Sequence, residues 1–396
     1  MYAASPARTV VLTERVPHVC RLAPADVEFL LRHHRGRVEV VPTGRRGRYR
    51  LTSAGYAGVI VAPACRLVIR PKVPLDNLFA LLDPAAPLPS ADDRVMPVPG
   101  AEALEFLAAR LAQRMAERAA AGLHRAYAER AEQGPFLQGR LDLPAQLREA
   151  PGRREQLHSL RDDLTADVPC NRVPKATAER LLTSPLVGDA VRAELRKALA
   201  GFAGVSAEAV GPEVSAPEAY RPLLDLCGLL LAGLTPGEAA GAAGAPAFLL
   251  DMEQAFEGYL TRGIVAAFAR SRRVRVTAQE THTVNRPAPD QPDVTMRPDL
   301  LLALDGRAAL AVDAKWKRPP KGALVTADLY QVLAYCTALG LGRGVLVYPG
   351  RRDRVWEYEF PHTPIRVAVH TLRVVGTRRA CARSLRRLAR TFRPAR

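Results

Sequence analysis

Residues 296–317 constrain the fold more than any other stretch of the chain. Two apolar runs, 300–304 and 308–312, flank the pair Asp305-Gly306, and that pattern predicts a β-hairpin. Asp299 opens the first strand behind Pro298, whose ring fixes the entry to it. The second strand ends in Asp313-Ala314-Lys315, so both ends of the hairpin place charge at one edge. Side chains alternate along a strand, which puts Asp313 and Lys315 on the same face with Ala314 between them. An acid that follows Leu310-Ala311-Val312 is costly in a buried strand unless it is paired or bound to metal. Two acids and a lysine meeting beside apolar strands are the parts of a divalent-metal phosphodiesterase. The carboxylates hold Mg²⁺, which neutralises phosphate charge and lowers the pKa of a water. The lysine orients that water or stabilises charge developing on the phosphate. An exposed hairpin with a plain salt bridge is the competing reading, because Asp-x-Lys is a common tripeptide.

A chain of 396 residues predicts two or three domains. No apolar run reaches membrane-spanning length and the N-terminus carries no signal-peptide pattern. The six cysteines are scattered without a Cys-x-x-Cys pair, which argues against a zinc site and for a reduced, cytoplasmic setting. The net charge of +17 is mostly arginine and suits a phosphate-rich partner. A composition rich in Arg, Ala and Pro produces the same charge without one.

The pattern of elements predicts a multidomain α+β and α/β protein in three regions. Residues 1–83 read as a β-rich domain with one interrupting helix at 25–33. Residues 84–235 read as a largely helical middle. It has a proline-rich link at 84–99, helices at 101–130, 172–182, 189–202 and 219–234, and a strand at 136–143, with Asn171 as a helix cap. The Ala- and Gly-rich stretch 235–246 reads as a boundary. Beyond it, residues 247–396 predict a separate α/β unit. Its helix at 248–269 and strand at 274–278 lead into the hairpin. A helix at 327–339, strands at 344–347, 355–360 and 365–372, and an arginine-rich tail from 378 complete it.

Helix, strand, Pro-Asp strand, Asp-x-Lys strand, helix and strand is the order of the PD-(D/E)xK nuclease core. Within that superfamily the chain more closely resembles the McrC family, nuclease subunits of modification-dependent restriction systems that defend against phage. The resemblance rests on Met252-Glu-Gln-Ala-Phe-Glu257 with Tyr259, Arg297-Pro-Asp299, Asp313-Ala-Lys-Trp-Lys317, and Asp328-Leu-Tyr-Gln331 with Tyr335. Weaker matches lie in Ile69-Arg-Pro-Lys72, Gly139-Arg-Leu141 and the stretch 162–172 that contains Asn171-Arg172. It implies a mixed sheet flanked by helices, with Asp299, Asp313 and Lys315 as the catalytic group. Metal would be held by Asp299, Asp313, Glu257 and the Ala314 carbonyl, with Mg²⁺ the cofactor and Mn²⁺ a substitute. It further implies double-stranded DNA as substrate and a McrB-like AAA+ hexamer, a GTPase or ATPase, as partner. The first two regions would dock on that partner and stimulate it, while the partner reads a modified base such as methylcytosine.

Glu257 falls at the edge of an apolar helix face set by Leu249, Met252, Phe256, Leu260 and Ile264, where a carboxylate needs a partner. Glu253 lies on the same side and competes for the role. Gln331 and Tyr335 are four apart and therefore neighbours on one helix face. They support the site or simply pack their helix on the sheet. Trp316 should point into packing, while Lys317 and Arg297 are candidates for reaching DNA. The absence of a G-x-x-x-x-G-K-[ST] motif means that no nucleotide is expected to bind this chain. Two other functions remain open at this point: a stand-alone nuclease acting on DNA ends or structures, and a mainly non-catalytic subunit that activates an AAA+ ring.

Overall fold

Short alternating apolar segments separated by turn residues build the N-terminal part. In the computed structural model, which describes residues 8–83, 100–148, 156–207, 214–234, 246–286, 292–317 and 326–393, β1 (Arg8–Thr13), β2 (His18–Arg21) and α1 (Pro24–His33) come first. After them come β3 (Val38–Pro42), β4 (Arg48–Ser53), β5 (Tyr56–Val61), β6 (Cys65–Arg70) and α2 (Leu75–Leu82). One antiparallel sheet has the order β2-β4-β3, and β1-β6-β5 begin a second. Val10, Leu12, Leu30, Leu51, Ile60 and Leu67 are packed into a single core. Each such side chain contributes about 1.5–3 kcal/mol by leaving water. The sequence pattern missed β2, which turns a single residue, Cys20, inward and so carries no readable alternation. The expected link at 84–99 lies outside the described residues.

The middle of the chain carries more strand than the largely helical expectation. It runs α3 (Glu102–Ala120), β7 (Ala126–Gly134), β8 (Arg140–Leu141), α4 (Leu143–Arg148), β9 (Leu157–Thr165), α5 (Pro169–Thr183), α6 (Asp189–Ala200), a 3₁₀ turn at Glu218–Tyr220 and α7 (Arg221–Gly233). The helix expected to reach residue 130 stops at Ala120 because its apolar stripe ends at Met115, and Gly122 takes a left-handed φ of 87°. Residues 126–134 pair as strand, β7 against β9 from Ala126↔Thr165 to Gly134↔Leu157. The strand expected at 136–143 shrinks to β8, paired at Leu160 and Ser159. Asn171 is no cap. The helix starts at Pro169, and Asn171 is buried in its first turn. Its amide donates to the carbonyls of His124 (2.9 Å) and Ala166 (2.7 Å) and accepts from the Tyr220 hydroxyl (2.7 Å).

The C-terminal part contains β10 (Ala247–Asp251), α8 (Met252–Phe268), β11 (Val274–Ala278), β12 (His282–Thr283), β13 (Thr295–Met296), β14 (Leu300–Leu304) and β15 (Arg307–Ala314). It continues with α9 (Thr326–Ala338), β16 (Arg343–Gly350), β17 (Arg354–Phe360), β18 (Thr363–Arg373) and α10 (Arg378–Thr391). The expected helix at 248–269 is strand over its first residues. β10 pairs antiparallel with β5, Leu249 opposite Gly58. Gly58 is required there, since its φ is 142° and a Cβ would overlap the Phe248 carbonyl oxygen. The chain therefore divides into two units, Met1–Val95 with Gly237–Arg396, and Met96–Pro236.

A six-stranded mixed sheet, β11-β14-β15-β16-β18-β17, carries the hairpin. β15, β16 and β18 run parallel to one another and the remaining pairs are antiparallel. Val332, Tyr335 and Cys336 of α9 pack on Ala311, Leu346, Val367 and Val369 of the sheet. α8 lies against β11 and β15, and α10 against β18 and α8.

Candidate active site

The hairpin forms as its sequence predicts. Asp305 and Gly306 have φ of 50° and 84°, the left-handed pair that a two-residue hairpin turn requires. With Leu300 opposite Val312, Asp299 comes to the end of β15. Its Oδ2 accepts the Ala314 N–H at 2.6 Å, so the two charged ends of the hairpin do meet. β15 is an interior strand with Asp313 beside Leu346 of β16, which leaves Asp313 2% exposed. The Lys315 ammonium stands 2.8 Å from Asp313 Oδ2. No well-aligned hydrogen bond reaches that buried oxygen.

α8 supplies the third acid. Asp251 caps it, accepting from the N–H groups of Glu253 (2.8 Å) and Gln254 (3.2 Å). Glu253 is exposed and hydrogen-bonded to Arg15, outside the cluster. Glu257 is half-buried and bonded to the Gln279 side-chain amide, which also donates to Asp299 Oδ1 at 3.0 Å. Gln279 holds a left-handed φ of 54°, an uncommon conformation for a non-glycine residue that needs support from its surroundings. Its own N–H donates to the Asp299 carbonyl at 3.1 Å.

Electrostatics binds these groups into one set. Burial, and then the Asp299 and Asp313 charges, push Glu257 up to about 7. Burial and Asp299 push Asp313 up to about 7 against the pull of Lys315. Burial also raises Asp299, although the Ala314 N–H, Lys315, Gln279 and Arg297 oppose it. For Lys315, burial disfavours the charge, but Asp313, Asp299 and Asp328 outweigh it and hold the pKa above the ordinary lysine value. The acids are thus close enough to repel one another's ionisation. Among the described residues, no three His, Cys, Asp or Glu side chains converge on a single metal-sized position.

The remaining expected residues surround this set. Gln331 donates to the Tyr335 hydroxyl at 2.7 Å, and that hydroxyl reaches the Arg297 carbonyl at 3.4 Å. The pair therefore holds the segment leading into Pro298-Asp299. Arg297 itself is exposed. Lys317, expected to reach outward, is instead 2.7 Å from the buried carboxylate of Asp328, whose other oxygen takes the Tyr348 hydroxyl at 2.5 Å. A buried acid recruits the nearest amine because leaving it unpaired is costly. Trp316 turns inward, its ring 5.5 Å from that of Phe256. Its indole N–H donates to Glu14, a fully buried acid also met by the Lys72 ammonium at 3.4 Å.

Sequence reasoning missed Gln279, Glu14 and Tyr348. Gln279 does carry a signal: Ala278 pairs with Leu300, so the next residue must face Asp299. Glu14 and Tyr348 lie far away along the chain and carry none.

The signature of the family described as McrBC 5-methylcytosine restriction system component matches residues 51–349. No curated protein sequence matches the chain significantly. Among solved structures, the chain is similar to one in the refined half-complex from the tetradecameric assembly of Thermococcus gammatolerans McrB AAA+ hexamers with bound McrC. That likeness has a TM-score of 0.51 at 17% identity, and covers 97% of this chain and 100% of the other. A chain of the Thermococcus gammatolerans McrBC complex solved by cryo-EM gives a TM-score of 0.39 at 19% identity, covering 67% and 89%. The first likeness supports a shared fold. With the family signature spanning most of its length, the chain belongs to the McrBC family of 5-methylcytosine restriction system components.

Proposed function

We propose that this chain is a McrC-like DNA endonuclease subunit with a PD-(D/E)xK core, which cleaves phosphodiester bonds with Mg²⁺ and works with a McrB-like AAA+ GTPase. The observation that carries the reading is that Asp299 takes the Ala314 N–H and Asp313 pairs with Lys315 at one end of a central hairpin, with Glu257 tied to Asp299 through Gln279. Lys315 feels both Asp313 and Asp299, and the charges of those two acids raise Glu257 in turn, a clustering of perturbed acids that is frequent at functional sites.

The donor chemistry fits a hard divalent cation. The acids offer oxygen ligands, the ligand type that Mg²⁺ prefers, and Asp313 Oδ2 is buried without a well-aligned donor. Asp299, Asp313 and Glu257 would hold the ion together with the Ala314 carbonyl. Such an ion, when bound, neutralises phosphate charge and supplies an acidified water. Lys315 keeps its proton, so it acts as a cation that steadies charge on the phosphate rather than as a base. Gln279 holds Glu257 and Asp299 in mutual register. Gln331 and Tyr335 fix the backbone before Asp299.

Docking on the AAA+ partner is assigned to residues 96–236. There the ribbon β7–β9 and its neighbours leave Tyr127 74%, Phe136 77% and Leu147 78% exposed. Large apolar side chains left this exposed within one unit are what supports the assignment. Two assays test the reading together: plasmid cleavage with Mg²⁺ and nucleotide, and turnover of that nucleotide by the cognate AAA+ protein. Cleavage should require both proteins. Lys315→Ala should lower it by about 10³-fold while still stimulating turnover. Efficient cutting by the isolated chain would point to a stand-alone nuclease. Stimulation with no cutting under any condition would point to a non-catalytic activator.

A further inference from the structure

The proposed chemistry leaves α10 unused. Its sequence, RRACARSLRRLART, contains no acid. Arg379, Arg383, Arg386 and Arg390 succeed one another at spacings of four, three and four, which places all four on one helix face. All are exposed, and none of their side chains makes a hydrogen bond or ion pair with any described residue. Arg387, one position off the stripe, behaves differently and pairs with Asp353 at 2.5 Å.

Packing fixes which way this face points. The opposite face, with Ala380, Cys381, Leu385, Leu388 and Ala389, is buried. Leu385 sits so closely on α8 that a Cβ on Gly263 would overlap its Cδ2. The stripe is therefore held outward. Like charges at these spacings destabilise a helix, and Arg378 and Arg379 stand at the end where the helix dipole is already positive. Composition alone would scatter arginine around the helix. Here it is collected on one side, with its repulsion left unrelieved by the fold.

Beside the first half of the stripe opens a recess of about 410 Å³. Ala80, Tyr259 and Ala382 contribute apolar lining, and Arg378, Arg379, Arg383 and Arg386 surround them. Such a recess offers apolar surface to a sugar and guanidinium groups to a phosphate. Helical geometry puts Tyr259 and Gly263 roughly opposite Glu257 on α8. The stripe thus stands behind α8, away from the carboxylates.

We infer that the outer face of α10 binds the sugar–phosphate backbone of duplex DNA, anchoring the substrate away from the bond that is cut. Arg379 to Arg390 span roughly 17 Å, the axial rise of about five base pairs. Contacts of this kind hold DNA without reading its bases, which suits a subunit whose partner does the reading. The choice of DNA as the polyanion rests on the proposed function. An anionic membrane is a poor fit, because the helix has no free apolar face to insert.

The test uses the full chain with Arg379, Arg383, Arg386 and Arg390 all changed to Gln, and a companion with all four changed to Lys. Binding of a fluorescent DNA duplex is titrated against salt without nucleotide or partner, with an RNA duplex of the same sequence in parallel. The Gln variant should lose affinity by about tenfold or more at low salt, and its log–log salt slope should flatten by about 0.9 for each phosphate no longer neutralised. The Lys variant should keep most of both, and thermal unfolding of the two should match wild type. Unchanged affinity and slope in the Gln variant would overturn the inference. So would loss of RNA binding with DNA binding intact, or loss of AAA+ stimulation with DNA binding intact, which would make the face a protein-docking surface. If the wild type fails to cut with partner and Mg²⁺ while the Gln variant still loses DNA, the nuclease reading falls and the anchor stands.

Discussion

Replacing Asp313 with Asn removes an ionisation from the middle of the site and leaves its shape. In the folded chain Asp313 is pushed from 3.8 up to about 7, and Glu257 from 4.5 up to about 7. Between those limits the folded state holds protons that the unfolded chain has released. Their contribution to stability is therefore full below about pH 4 and is lost as pH rises through about 7. For Asp313 the difference, 7 − 3.8 or about 3 units, corresponds to about 4 kcal/mol at about 1.36 kcal/mol per unit. Around pH 6 the two retained protons make stability fall by at most about 3 kcal/mol per pH unit. The Asn variant removes one of them, and also one of the charges that raises Glu257, so its slope should be less than half as steep. Trp316 and Trp356 are the two tryptophans and both lie in the unit that carries the site, so fluorescence reports its unfolding. In EDTA the wild type should lose of the order of ten degrees in Tm between pH 5 and pH 8, and Asp313→Asn much less. Mg²⁺ at pH 8 should restore the wild type and leave the variant nearly unchanged. Parallel pH profiles for the two proteins, or equal stabilisation of both by Mg²⁺, would refute the electrostatic account.

Other expectations are as concrete. Gln279→Ala removes a hydrogen bond that lowers the Glu257 pKa, so the acid limb of the cleavage–pH profile should move to higher pH, and an unmoved limb would dismiss Gln279 as a positioning residue. Trp316→Phe takes the indole donor from the buried Glu14 and should cost about 1–3 kcal/mol, read from the urea midpoint of Tyr fluorescence. Asn171→Ala breaks three buried hydrogen bonds and should destabilise residues 96–236 by about 2–3 kcal/mol, measured by hydrogen exchange within that unit. A truncated chain starting at Pro246 exposes the edge of β10 that β5 covers and loses Glu14 from behind Trp316. It should aggregate, and cooperative unfolding at the full-length midpoint would show instead that the C-terminal part stands alone.

The hairpin was legible because its determinants are local. Asp305-Gly306 sets the turn, the turn sets the register, and the register brings Asp299 to the Ala314 N–H. The facing of Asp313 and Lys315 follows from strand alternation alone. The burial of Trp316 and the adjacency of Gln331 and Tyr335 follow from equally short-range periodicity. Local pattern failed where a segment's state depends on a distant partner. Residues 247–251 continue an apolar run that suits a helix, and become strand because β5 offers an open edge with a glycine at the crossing. Residues 126–134 become strand because 157–165 pair with them. Tertiary structure also decided what the charges do. Lys317 faces the buried Asp328 instead of solvent, Glu253 is taken by Arg15, and Glu257 alone of the two joins the acids through Gln279. The sequence by itself determined which residues are available at the hairpin's edge. Only the fold decided their burial and their partners, because desolvation and Coulomb energy depend on neighbours that the chain brings in from other elements.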